Sequence, residues 1–166
     1  MLDEDYSERF ARLAAATPFD IELPIQWKDF FTERGEVASY GDDQRHSLRL
    51  KVRTHGLLYS ERSLKFCPRG TEPIGIYTRD FSRQGIGILT PIQFFPEEIV
   101  RVVLPTFWVH TRIVRVRRLT SKCFEIGTTL VRRNNPSEDA FAAPTGHFEP
   151  PPESHSKPEN AQPAVF

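Results

Sequence analysis

From residue 5 to residue 16 the apolar positions recur at helical spacing. Tyr6, Phe10, Leu13 and Ala14 fall on one face, with Asp5 and Glu8 placed like a capping box at its start. That pattern predicts a short amphipathic helix. A second helix is expected after it, opened by Pro24 in its first turn, lined by Leu23, Trp27, Phe30 and Phe31, and stopped near Gly35. Two such faces either cover the edge or end of a larger body or, through Trp27 and Phe30, dock a partner or a second copy of the chain.

From Leu48 onward the period changes to two. Leu48, Leu50 and Val52 alternate with Arg49, Lys51 and Arg53, which reads as a strand with one wet face. Further strands are predicted near 56–60, 64–66, 74–79, 85–89, 99–104, 109–117 and 124–130. Turns are predicted at Cys67-Pro68-Arg69-Gly70, Thr90-Pro91, Phe95-Pro96 and Leu104-Pro105. Short strands with this punctuation point to a small antiparallel barrel or sandwich. After Arg133 the periodicity ends: residues 134–166 hold seven of the fourteen prolines, with scattered acidic and small residues, and are expected to form a disordered tail.

Composition narrows the class. A chain of 166 residues with 39% hydrophobic content supports one modest domain with extensions. No stretch is apolar for long enough to span a membrane, and the first residues are acidic where a signal peptide would be basic, so a cytoplasmic protein is expected. Cys67 and Cys123 are too few for a disulfide scaffold or a zinc cluster.

The zero net charge conceals a division. Residues 43–133 carry 17 basic against 7 acidic residues, a balance of +10, and the rest of the chain, with 5 basic and 15 acidic, balances it at −10. The middle is an anion binder by charge, since clustered positive potential concentrates anionic ligands. Charge alone does not choose between a nucleotide and a nucleic acid.

The choice comes from two short motifs. Arg45 and Arg49 lie four apart in Gln44-Arg45-His46-Ser47-Leu48-Arg49, and Asp80-Phe81-Ser82-Arg83-Gln84-Gly85 follows about thirty residues later. Arginine presents a planar fork of donors that fits phosphate oxygens or the O6/N7 edge of guanine. A carboxylate accepts from guanine N1 and N2, a serine hydroxyl donates or accepts, and glycine admits close backbone approach. The order RxxxR, then DxSxxG, resembles the PilZ domain, a bacterial receptor for cyclic di-GMP. The late segments His110-Thr111-Arg112-Ile113-Val114-Arg115-Val116 and Phe124-Glu125-Ile126-Gly127-Thr128 look like its closing strands.

The resemblance implies a mainly β fold: a small antiparallel six-stranded barrel over 43–133, a helical extension over 1–42 and a tail over 134–166. It implies a ligand, cyclic di-GMP, rather than a cofactor or a metal, with Arg45, Arg49, Asp80, Ser82 and Gly85 as contacts and Arg53, Arg79 and Arg83 as auxiliary candidates. Arg45 and Arg49 would reach phosphates and guanine edges from a mobile segment, Asp80 and Ser82 would hold a guanine, and Gly85 would permit the turn and close approach. The expected output is a change in how the N-terminal segment sits on the barrel, relayed to a protein effector.

Each of these residues also has a plainer use, as a solvated charge or a turn former. Two other readings stand beside the receptor: a PilZ-fold adaptor without the ligand, and a basic barrel for single-stranded nucleic acid, with Arg112, Arg115, Arg117 and Arg118 as its footprint. Nucleic acid is the weaker expectation. Catalysis is not expected: Ser82 lacks a G-x-S-x-G elbow, no Walker-type loop occurs, and His46, His55, His110, His147 and His155 lack metal-ligand spacing.

Overall fold

The computed structural model describes residues 2–37 and 48–152. Helix α1 (Leu2–Ala16) precedes seven strands: β1 (Leu50–Lys51), β2 (His55–Arg62), β3 (Ile74–Phe81), β4 (Ile86–Thr90), β5 (Ile99–Val103), β6 (Trp108–Thr120) and β7 (Cys123–Asn134). Strands β2 to β7 pair in the order β3-β2-β5-β6-β7-β4, and β4 returns to β3, closing a six-strand antiparallel barrel. β1 pairs only with the end of β3, through Leu50 opposite Phe81 and Lys51 opposite Asp80.

Period-two alternation fills the barrel. Leu58, Ile76, Ile88, Val100, Val102, Val109, Ile113 and Ile126 point inward as one cluster with Phe94 and Phe124. Each buried side chain of this size contributes about 1.5–3 kcal/mol. The outer wall is covered in two places. α1 lays Tyr6 and Phe10 on Leu57, Tyr59, Val103 and Trp108, while Phe30 packs on Leu89 and Cys123 with Trp27, Phe31 and Tyr77 around it.

Several expectations need correction. The second helix does not form. Its residues make turns and one short 3-10 segment, Phe30–Thr32, because the aromatic positions are spent on an extended wrap around the barrel wall. Phe30 is 1% exposed and so does not dock a partner. The strand expected from Leu48 shrinks to two residues, with Leu48 and Leu50 exposed, because β1 lies outside the closed ring and has no interior to face. Residues 64–66 form no strand: Cys67 N donates to Leu64 O in a turn that leaves Phe66 exposed against Phe95.

Part of the expected tail is packed on the barrel. β7 runs to Asn134, and the 3-10 turn Glu138–Phe141 buries Ala140 and Phe141. Arg101 holds this turn by donating to the carbonyl oxygens of Asp139, Ala140 and Ala142 at 2.6–2.9 Å. Its Nε donates to Glu61, whose other oxygen lies 3.6 Å from His110. Residues 153–166 lie outside the described residues.

Candidate functional site

The DxSxxG motif is the β3–β4 hairpin. Ser82 N donates to Gly85 O at 2.9 Å, Ser82 Oγ donates to Gly85 O at 3.3 Å, and Gln84 N donates to Ser82 Oγ at 3.2 Å. The serine therefore shapes the turn. Gly85 is required for a reason other than turn geometry, since its φ is not positive: a Cβ there would overlap the Thr128 carbonyl oxygen. Close approach to β7 is what excludes a side chain, and Leu130 N and Thr128 Oγ1 tie the same hairpin to β7 by hydrogen bonds to Gln84 O and Ile86 O.

Just before the hairpin the β3–β4 register slips between Thr78 and Asp80. A bulge adds a residue to one strand and re-aims the side chains beside it. Here it seats Asp80 opposite Lys51 on one side and Gly87 on the other. The Asp80 side chain, 10% exposed, accepts a hydrogen bond at 2.8 Å from Arg49 Nη1. Two motif residues far apart in sequence thus meet directly. Arg45 lies outside the described residues.

The backbone leading to Arg49 is pinned to the N-terminal segment. Val37 N donates to Arg49 O at 3.0 Å, Lys51 N donates to Gly35 O at 2.7 Å, and Glu36 bridges Leu50. The auxiliary candidates divide. Arg53 lies over the Phe30 ring at 4.2 Å and reaches Glu33 at 3.3 Å, and Lys51 reaches the same carboxylate at 3.4 Å. Arg79 pairs with Glu125 and lies 5.2 Å from the Trp27 ring. Arg83 is exposed in the hairpin turn.

Arg53 and Arg79 are primarily structural cations that join the barrel to the wrap. Burial lowers the pKa of both guanidiniums; Glu33 and then Asp80 pull Arg53 back up, and Asp80 pulls Arg79 back up. Arg79 is lowered further by the neighbouring charges of Arg53, Arg117 and Arg115. The wall around Asp80 carries more cations than carboxylates, with Arg49, Lys51, Arg53, Arg79, Arg115 and Arg117 against Asp80, Glu33 and Glu125, a field that favours an anion.

Sequence reasoning missed Gly87, Gly127 and the placement of Arg115. Gly87 faces Gly127, and Gly127 faces Arg115. A Cβ on Gly87 would lie 2.8 Å from Asp80 Oδ1, and one on Gly127 would lie 2.7 Å from Arg115 Nε. The available signal was glycine inside strand patterns, which marks close approach of a ligand or another group.

Among the described residues no group of three or more His, Cys, Asp or Glu could hold a metal, and no helix is long and apolar enough to cross a membrane. The nucleic-acid footprint is divided as well: Arg117 pairs with Glu125, and Arg118 folds over Phe124 and donates to Thr120 O.

The PilZ domain matches residues 43–141, well over half of the chain, and the chain belongs to that family. PilZ domains are receptor or adaptor domains rather than enzymes, and this barrel is of the type that binds cyclic di-GMP. A search of curated proteins returns no match.

Proposed function

We propose that the protein is a cyclic di-GMP receptor that relays ligand binding to a protein partner through its N-terminal segment. Asp80 accepts from the N1 and N2 hydrogens of a guanine, with the Ser82 hydroxyl and the Gly85 backbone beside it. Arg49 and Arg45 supply charge-assisted donors to the phosphates and guanine edges. The observation that carries this reading is the direct contact of Arg49 with Asp80 on a wall where cations outnumber carboxylates.

The route of the signal follows from what the arginine segment touches. Residues 35–37 pair with 49–51, Glu33 is shared by Lys51 and Arg53, and Trp27 lies against Arg79. A ligand that draws Arg49 away from Asp80 pulls on this seam, and the aromatic wrap at Trp27 and Phe30 shifts with it. Coupling of this kind needs only a difference in ligand affinity between the two positions of the segment.

Trp27 supplies the test. In a Trp108→Phe variant the remaining tryptophan is Trp27. Its emission should change saturably with cyclic di-GMP. Calorimetric binding without any change at Trp27 would leave the receptor but remove the proposed relay, and absence of binding would remove both.

A further inference from the structure

Gly87 and Gly127 leave out two side chains from the barrel wall, and two charged residues lie across the space. Asp80, Gly87, Gly127 and Arg115 occupy one cross-strand row over β3, β4, β7 and β6. Residues directly opposite one another on adjacent strands project to the same face. The Asp80 carboxylate lies over Gly87 from one end and the Arg115 side chain lies over Gly127 from the other. The Cα atoms at the two ends are three strand spacings apart, about 14 Å, and the two side chains fold inward over the glycines between them.

The cations near this row are not equivalent. Arg49 holds Asp80, Lys51 and Arg53 share Glu33, and Arg79 and Arg117 share Glu125. Arg115 is exposed and has no ion-pair partner among the described residues. An arginine laid over a glycine beside a carboxylate that is itself in the candidate site is placed for a ligand rather than for the fold.

We infer that Arg115 is a further binding residue of the dinucleotide site and sets its preference for guanine, an inference that rests on the receptor reading above. One base enters at the Gly87–Gly127 row and takes the place that the Asp80 and Arg115 side chains hold over the two glycines. Its N1/N2 edge meets Asp80, and its O6/N7 edge meets Arg115, whose fork matches those two acceptors. Adenine presents an amino donor where guanine presents O6, so the same fork opposes it.

Calorimetry on the full chain separates the outcomes. Arg115→Ala should weaken cyclic di-GMP binding at least tenfold, and the preference for cyclic di-GMP over cyclic di-AMP should fall with it. Thermal stability should be unchanged, because the side chain is exposed. Arg115→Lys, which keeps the charge but loses the fork, should recover only part of the preference. Gly127→Ala should weaken binding by displacing Arg115.

If Arg115→Ala binds as the parent does, with its preference intact, while Arg49→Ala loses affinity, the inference is overturned and the receptor reading stands. If the parent chain gives no saturable heat with cyclic di-GMP, both fall.

Discussion

The Arg49 guanidinium and the Asp80 carboxylate, 31 residues apart, share a hydrogen bond of 2.8 Å. Each neutralises the other, so a ligand must replace this contact with better ones. Hydrogen bonds to charged groups contribute about 1.5–3 kcal/mol. Arg49→Ala should therefore weaken cyclic di-GMP binding by roughly tenfold to a hundredfold. Titration of the two proteins side by side checks this, and equal affinities would remove Arg49 from the site.

Gly85→Ala tests the fold beneath the site. The added methyl would overlap Thr128 O, which is backbone and cannot move without shifting β7. The expected destabilisation exceeds about 3 kcal/mol, in the range of severe steric substitutions. Chemical denaturation measures it. A loss below about 1 kcal/mol would show that the hairpin does not pack on β7 as described.

Much of this was legible in the sequence. Short strand-like runs near 56–60, 74–79, 85–89 and 124–130, set between turn signals, pointed to a barrel or a sandwich, and the motif resemblance selected the barrel. The DxSxxG residues marked the hairpin because turn chemistry is local. The wrap at Trp27 and Phe30 was misread as a helix, since an aromatic stripe looks the same whether a helix or an extended segment delivers it. Arg115 was legible only as one charge of a basic strand: its place beside Gly127 and Gly87 depends on the register of β4, β6 and β7, which alone brings the three together. The packing of residues 138–142 was hidden for a similar reason, because the carbonyls that hold them are backbone groups claimed by the distant Arg101.

Arg101 anchors that C-terminal turn from a buried position, with its side chain 3% exposed. Removing one member of a buried pair leaves the other charge uncompensated, at a cost of about 3–5 kcal/mol. Arg101→Ala should lose that much stability and free the turn around Phe141, seen as faster amide exchange at 138–142. Unchanged exchange would contradict the anchoring role.

Acid should loosen the same contact. Burial raises the Glu61 carboxyl, but the hydrogen bond from His110 and the charges of Arg101 and His110 outweigh it, leaving the pKa below the ordinary 4.5. A depressed carboxyl pKa adds stability that is complete above the unfolded value and lost as pH falls toward the folded one. Stability should therefore drop as pH falls below 4.5, and Glu61→Gln should flatten that part of the profile. Parallel profiles for the two proteins would contradict the assignment.

The two thiols should differ in reactivity. Burial pushes the Cys123 thiol up to about 11, against the pull of Arg79, while Cys67 is half-buried. At pH near 8, Cys67 should react promptly with a disulfide reagent and Cys123 only after denaturation, since the thiolate is the reactive form. Two prompt equivalents would contradict the packing of Cys123 under Phe30.

The central claim is that Arg49 and Asp80 form the core of a cyclic di-GMP site. Calorimetric titration of the intact chain with cyclic di-GMP at low ionic strength tests it most directly, with Asp80→Ala as the control. Saturable heat at micromolar or tighter affinity, lost in the variant, is the predicted result. No heat from the parent chain, or equal heat from Asp80→Ala, would contradict the account.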